Sequence, residues 1–258
     1  MTALALANLN VALGGRKVLS RISANFAPGE CIAIMGPNGS GKSTLMRAGA
    51  GLIAPLSGEV ALHGKPLGAW RRTDLAREIA YLPQGGEVHW PLTVRNIVAL
   101  GRLPHAHRFT KKNDADEAAI ARAMQACDIA HLADRPATAL SGGERARALL
   151  ARALASEARI ILADEPFAQL DPSHQLHAME VLRASADAGA LVIVVLHDLS
   201  IAARHASRVL LLSEGHLAAD GPPAATLVSE TLRKTFGIDA FIGDHAGAPV
   251  ILPLRRRA

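Results

Sequence analysis

Short apolar runs alternate with turns along the first part of the chain. Apolar positions over 4–11 and 18–26 flank Gly14-Gly15, which predicts a pair of strands, and the unbroken apolar run over 31–35 predicts a buried strand. A helix is predicted over 42–52. The chain therefore opens with a strand pair followed by a strand–loop–helix unit.

Helical periods replace this pattern between residues 70 and 156. Helices are predicted over 93–100, 114–126 and 143–155. Gly85-Gly86 and Pro91 mark the entry to this stretch, and Arg135-Pro136 interrupts it before the last helix. We interpret residues 85–156, approximately, as a helical subdomain inserted into an α/β core.

The first part of the chain has one more predicted strand, over 58–63, and the α/β alternation resumes after residue 156. Strands are predicted there over 160–163, 191–196, 209–212 and 216–219, and helices over 172–188, 199–206 and 229–236. Strands that are apolar throughout are typical of a parallel sheet covered on both faces. The sequence thus predicts one α/β domain over 1–258, with 1–84 and 157–258 forming its core, and a tail after Pro222-Pro223 in which only the last helix is expected.

Composition narrows the class of protein. Half of the 258 residues are hydrophobic and 3% are aromatic, which favours helices on a buried sheet. No apolar run approaches the roughly 20 residues that cross a bilayer, the N-terminus lacks a basic signal region, and two cysteines form no disulfide framework. We expect a cytoplasmic location. The net charge of +5 favours an arginine-rich solvated surface, with anionic lipid or nucleic acid as the alternative partners of Arg255-Arg256-Arg257.

A glycine-rich loop follows the strand predicted over 31–35. It matches the phosphate-binding pattern G-x-x-x-x-G-K-[ST] in full, and Thr44 follows it. The backbone N–H groups of the loop and the N-terminus of the next helix are suited to a nucleotide phosphate. The lysine of the loop suits the β- and γ-phosphates, and the hydroxyl of its last residue suits Mg²⁺. The residues concerned are Gly36, Pro37, Asn38, Gly39, Ser40, Gly41, Lys42 and Ser43.

Two acids end the strand predicted over 160–163. Asp164 at the strand tip is a candidate Mg²⁺ ligand, and Glu165 is a candidate general base for the attacking water. Two solvated acids in a turn are the plain alternative. A second candidate anion site lies at the N-terminus of the helix over 143–155, where Ser141 and the amides of Gly142-Gly143 suit phosphate.

The pentapeptide Leu140-Ser141-Gly142-Gly143-Glu144, between the phosphate loop and the acids, resembles the signature of the ABC (ATP-binding cassette) ATPases. The resemblance implies a P-loop NTPase core with a mixed sheet, an N-terminal antiparallel β subdomain and an inserted helical subdomain. It also implies that Ser141, Gly142, Gly143 and Glu144 bind the ATP of a second copy, so that a dimer holds two ATP molecules.

The same resemblance gives roles to further residues. Gln84 matches the glutamine that reaches the Mg²⁺ and the water, His197 matches the switch histidine at the γ-phosphate, and Asp171 matches the aspartate that orients the dimer contact. Phe167 stands where the family usually has a small polar residue. Leu13, or a neighbour, stands where most members carry an aromatic residue that stacks on adenine.

The segment Pro91–His105 is similar to that of importers for iron–siderophore complexes, haem and cobalamin, with haem subunits the closest match. The resemblance implies a permease dimer as partner, a periplasmic binding protein acting indirectly, no nucleic acid, and a location on the cytoplasmic face of the bacterial inner membrane. The segment 87–109, with Trp90 and Phe109, is the expected docking surface for the permease. The histidines are not expected to bind haem.

Three other classes remain as alternatives. A soluble ABC ATPase of DNA repair or translation usually has a coiled-coil insert or a second cassette, and the sequence has neither. An ABC exporter subunit is disfavoured by the importer-like segment. A P-loop kinase or a small GTPase would have no use for the pentapeptide or for His197.

Overall fold

Residues 2–86, 91–106 and 114–256 are described by a computed structural model. The strands are β1 (Leu4–Leu13), β2 (Arg16–Phe26), β3 (Cys31–Met35), β4 (Ser57–Leu62), β5 (Lys65–Pro66), β6 (Ile79–Leu82), β7 (Ile160–Ala163), β8 (Leu191–Val195), β9 (Arg208–Ser213), β10 (His216–Gly221), β11 (Ile238–His245) and β12 (Ala248–Arg256). The helices are α1 (Lys42–Gly49), α2 (Arg72–Glu78), α3 (Val94–Ala99), α4 (Asp114–Ala126), α5 (Gly142–Ala155), α6 (Pro172–Asp187), α7 (Leu199–His205), α8 (Pro223–Thr226) and α9 (Ser229–Phe236).

Two sheets form the α/β part of the molecule. Strands β2, β1, β4 and β5 make an antiparallel sheet in that order, and β10, β9, β3, β8, β7 and β6 make a second one. In the second sheet every pair from β9 to β6 is parallel, and only β10 runs antiparallel to its neighbour. The mixed sheet and the antiparallel sheet expected from the sequence are thus both present.

Alternating residues of the parallel strands face two separate apolar layers. On β3, Ile32 and Ile34 pack in the layer that contains α1 and the antiparallel sheet. Cys31, Ala33 and Met35 pack in the other layer, which contains α5 and α6. Strands buried on both faces need apolar residues at every position, which explains their unbroken apolar runs.

Helices α3, α4 and α5, which lie between β6 and β7 in the chain, pack on one another. Thr93 caps α3 by accepting the N–H of Asn96, and buried Arg147 of α5 donates to the backbone oxygen of Asp128 behind α4. The predicted helix over 93–100 therefore exists with its cap at Thr93. The side chains of Trp90 and Phe109 lie outside the described residues.

The tail departs from the prediction. Beyond α9, which has the predicted bounds, β11 and β12 form a two-stranded antiparallel hairpin that the sequence analysis missed. Its turn has Ala246 and Gly247 at positive φ, and the Asp244 carboxylate accepts the N–H of Gly247. Ala246-Gly247 is a weaker turn signal than Asn-Gly, and the strands pack on α7 rather than on a sheet, so their pattern was hard to recognise.

Both cysteines are free thiols buried in the apolar layer beside α5 and α6. Burial raises the pKa of Cys31 to about 11 and that of Cys127 to about 12, so both thiols are protonated at neutral pH. Within the three described stretches, no helix combines the length and apolar character that crossing a membrane requires.

A serine of α7 makes two hydrogen bonds to the hairpin. The Ser200 hydroxyl donates to the backbone oxygen of Ile251 and accepts the N–H of the same residue, at 3.0 and 2.9 Å. We expect Ser200→Ala to lower the local stability of the hairpin by about 1–2 kcal/mol, because two backbone groups lose their partner. Amide hydrogen exchange measures this as faster exchange in β11 and β12.

Ser185→Ala is the matched control, because the Ser185 hydroxyl bonds only to Val181 within α6. Faster exchange confined to the Ser200 variant is the expected result. Equal exchange in the hairpin of both variants would contradict the role given to Ser200.

Candidate functional site

The carboxyl ends of four neighbouring parallel strands meet at one edge of the large sheet. The phosphate loop follows β3, His197 follows β8, Asp164 and Glu165 follow β7, and Gln84 follows β6. Because parallel strands end at the same edge, residues far apart in sequence come together there. The structure thus brings together the phosphate loop, both acids, Gln84 and His197.

The phosphate loop is shaped by glycines at two points of close approach. Gly36 has a φ of 149°, and a Cβ there would lie 2.1 Å from the backbone oxygen of Leu212. Gly41 has a φ of 101°, and a Cβ there would lie 2.5 Å from the Leu19 side chain. Gly41 caps α1 without a side-chain partner for the first N–H groups of the helix. Those N–H groups therefore remain available to an anion.

Two side chains of the loop are poised for a phosphate. The Lys42 ammonium donates to the backbone oxygens of Gly36 and Pro37 at 2.9 and 3.0 Å. Its pKa is lowered by burial, an effect that the charges of Glu165 and Asp164 partly offset. The buried Ser40 hydroxyl has no hydrogen-bond partner among the residues that the structure describes. A buried hydroxyl without a partner is costly, so a ligand oxygen would satisfy it.

Asp164 is fully buried and held by two hydroxyl groups. The Ser43 hydroxyl donates to its Oδ1 at 3.1 Å, and the Tyr81 hydroxyl donates to its Oδ2 at 3.3 Å. Burial raises the pKa of the carboxyl, and the two hydroxyl donors oppose that rise. The sequence analysis did not identify Tyr81 as a partner of Asp164. The only signal was its position on the same face of β6 as the core residue Ile79.

Glu165 faces away from Asp164 and contacts the other two candidate catalytic residues. Gln84 donates to its Oε2 at 2.5 Å, and the His197 ring lies 2.8 Å from its Oε1. Its backbone has a φ of 48°, a left-handed conformation that is uncommon for a residue other than glycine. This turn directs two consecutive acids to different places, so they can perform different tasks.

An open cavity of about 480 Å³ joins the phosphate loop to Gln84, Glu165 and His197, and the buried Asp164 is not among the described residues that line it. Val18 of β2 lines its edge, whereas Leu13, the expected neighbour of the adenine ring, is not among the described residues that line it. The lining residues are Val18, Asn38, Gly39, Gly41, Lys42, Ser43, Thr44, Gln84, Glu165 and His197.

The pentapeptide stands apart from this cavity. Ser141 caps α5, accepting the N–H of Glu144, while the Glu144 carboxylate accepts the N–H of Ser141. These bonds lower the pKa of Glu144, and Arg135 adds an ion pair. None of the five residues lines the 480 Å³ cavity as it is formed by the described part of the chain. The structure therefore gives Glu144 a capping role in its own chain and leaves the Ser141 end of α5 away from its own phosphate loop.

The segment after Glu165 is ordered by the core. Phe167, which departs from the expected small polar residue, is buried in the layer that contains α5 and α6. Asp171 caps α6, accepting the N–H of His174, and this bond lowers its pKa. The His174 ring is also bonded to Asp171, and His105 and His177 bond to backbone oxygens, so these three histidines have partners within the chain.

The family model described as ABC transporter matches residues 19–168, more than half of the chain. The chain belongs to the ABC transporter family. Within that family it is an ATPase coupled to transport.

Two curated relatives show which ABC proteins resemble this one. The Hemin import ATP-binding protein HmuV of Rhodococcus jostii is 44% identical over 95% of this chain and 84% of its own length. The Cobalamin import ATP-binding protein BtuD of Halobacterium salinarum is 40% identical over 96% of this chain and 63% of its own length. The similarity extends well beyond the common motifs, over nearly the whole ABC chain.

Solved structures agree with the ABC fold. An inward-facing transporter assigned to the metal-chelate type matches with a TM-score of 0.84 and 27% identity, over 99% of this chain and 98% of the other. A dimeric ATP-binding cassette bound to ADP and Pi matches with a TM-score of 0.75 and 27% identity, over 85% and 98% of the two chains. The fold of this ABC protein, including its mixed sheet, is thus shared with a cassette that holds hydrolysis products.

Gly36 provides a test of the phosphate loop. Gly36→Ala forces a methyl group against the Leu212 backbone, so we expect the loop to shift and ATP affinity to fall at least about tenfold. Gly39→Ala is the control: it has a positive φ of 80° but open space around it, so we expect a strain of only about 1–2 kcal/mol. Isothermal titration with ATP distinguishes them, and equal losses of affinity would contradict the close approach at Gly36.

Proposed function

We propose that this protein is the ATP-hydrolysing subunit that powers import of haem across the bacterial inner membrane, with two copies on a permease dimer at the cytoplasmic face. The observation that carries the proposal is the division of the site within one chain. The phosphate loop and Glu165 share one cavity, and the pentapeptide lies outside it.

The residues of the cavity have separate roles in this proposal. Lys42 and the loop amides hold the β- and γ-phosphates, with Gly36, Pro37, Asn38, Gly39, Ser40, Gly41, Ser43 and Thr44 forming the cradle. Glu165 accepts the proton of the attacking water, and Gln84 and His197 orient that water and the γ-phosphate. Their contacts with the Glu165 carboxylate at 2.5 and 2.8 Å support this assignment.

Mg²⁺ fits the donors near Lys42. Ser43 and the fully buried Asp164 supply hard oxygens 3.1 Å apart, and Ser43 and Gln84 line the cavity. Mg²⁺ is usually bound by one or two protein groups together with substrate phosphates, and Ser43 and Asp164 are two such groups. Bound there, Mg²⁺ would neutralise charge on the β- and γ-phosphates.

The dimer completes each site. Ser141, Gly142 and Gly143 of one copy contact the γ-phosphate held by the other copy, because the N-terminus of α5 attracts anions. Glu144 orients this segment through its cap, and Asp171 orients the contact between the copies from the N-terminus of α6. The dimeric cassette with ADP and Pi supports this arrangement.

The inserted helices form the side that meets the permease. We assign 1–84 and 157–258 to the α/β core and about 85–156 to the helical subdomain, in one domain over 1–258. The packing of α3, α4 and α5 on one another supports this division. In the docking segment 87–109, Leu103 is 64% exposed, which suits contact with a permease loop.

The cargo assignment draws on the relatives. Several relatives that are 41–46% identical are named hemin import proteins, which favours haem. A ferric siderophore or cobalamin is the alternative within the same role. Cargo would reach the permease through a periplasmic binding protein, without touching this subunit, and no nucleic acid is required.

Glu165→Gln tests the catalytic role. Glutamine keeps the shape of the side chain but cannot accept a proton, so we expect kcat to fall by about 10²-fold or more. ATP should then hold the two copies together, which light scattering measures as a stable dimer. Glu157→Gln, at an acid paired with Arg102 and Arg122, should leave turnover unchanged. A Glu165→Gln chain that stays monomeric in saturating MgATP would contradict the proposal.

Haem import is tested with the full complex. The permease that co-purifies with the tagged chain is reconstituted in lipid vesicles with its binding protein. We expect haem to stimulate ATP hydrolysis and to accumulate inside the vesicles, because the transported cargo couples hydrolysis to transport. A ferric siderophore and cobalamin should do neither. Stimulation by one of those two instead would overturn the haem assignment and keep the importer assignment.

A further inference from the structure

Two hydroxyl groups hold the buried Asp164 carboxylate. The Tyr81 hydroxyl donates to Asp164 Oδ2 at 3.3 Å. The other oxygen of Asp164 accepts from Ser43. The carboxylate is therefore held from both sides.

The two sheet residues meet α1 because of strand alternation. On β6, Ile79 and Tyr81 face the layer that contains α1, whereas Ala80 and Leu82 face the opposite layer. Asp164 follows Ala163, which faces the opposite layer, so by alternation its side chain returns to the α1 side. Tyr81 on β6 thus contacts Asp164, which follows the neighbouring strand β7.

Helix α1 supplies the second donor. Ser43 lines the nucleotide cavity, whereas Asp164 and Tyr81 are not among the described residues that line it. Ser43 thus links Asp164 Oδ1 to the cavity, and Tyr81 holds the other carboxylate oxygen.

We propose that Tyr81 is a positioning residue that fixes the buried Asp164 carboxylate for the metal of the metal–nucleotide complex. This inference rests on the proposed function, in which Ser43 and Asp164 hold Mg²⁺. Tyr81 is not among the described residues that line the nucleotide cavity. It acts on the metal through Asp164 and makes no contact with the nucleotide.

Tyr81→Phe tests the inference, because it removes one hydroxyl and keeps the ring. The probe is the non-hydrolysable analogue AMP-PNP, titrated once with Mn²⁺ in place of Mg²⁺ and once in EDTA, with bound Mn²⁺ measured by electron paramagnetic resonance. We expect affinity for the Mn²⁺ complex to fall roughly 3- to 10-fold, the net effect of one lost hydrogen bond of ordinary strength. Affinity in EDTA should not change.

A further variant sharpens the test. Ile79→Val alters the same face of β6 without removing a hydrogen bond and should bind the Mn²⁺ complex like the wild type.

Two results would overturn the inference: unchanged affinity of Tyr81→Phe for the Mn²⁺ complex, or equal losses with the metal and in EDTA, which would indicate a structural role. The wild type tests the proposed function separately. If it bound AMP-PNP with no dependence on a divalent metal, the magnesium site itself would be contradicted.

Discussion

Parallel pairing of β3, β8, β7 and β6 is the constraint on which the site depends. The strands are almost entirely apolar, the phosphate loop, both acids, Gln84 and His197 follow their carboxyl ends, and the pairing brings those four ends to one edge. The glycines of the phosphate loop then allow the chain to turn against Leu212. Neither the acids nor Gln84 would meet the loop if one strand were displaced by a single position, because alternation would reverse every side chain.

The pentapeptide does not lie at this edge of the sheet. Ser141 begins α5, which lies beside the sheet, and its hydroxyl and Glu144 satisfy each other in a capping box. A single chain therefore presents a phosphate loop with catalytic acids and, elsewhere, a second helix N-terminus suited to anions. At the phosphate loop, burial disfavours the charged form of Asp164, and the hydroxyl donors Ser43 and Tyr81 favour it.

Much of this was predictable from sequence. The phosphate loop, Asp164 and Glu165 were identified because unbroken apolar runs end at them, and α9 was found with its observed bounds. Tyr81 was missed because its role depends on which face of β6 meets α1, which only the strand order decides. The β11–β12 hairpin was missed because Ser200 and α7 stabilise it, through contacts 51 residues apart in sequence.

The central claim, that each active site combines two copies, is tested most directly by mixing two inactive chains. Lys42→Ala lacks a working phosphate loop and Ser141→Arg lacks a working pentapeptide, so neither should hydrolyse ATP alone. A mixed dimer would contain one site with both parts intact. The account predicts ATPase activity that appears on mixing and is highest near equal amounts. No activity at any ratio, beside an active wild type, would contradict it and would mean that each chain uses its own pentapeptide.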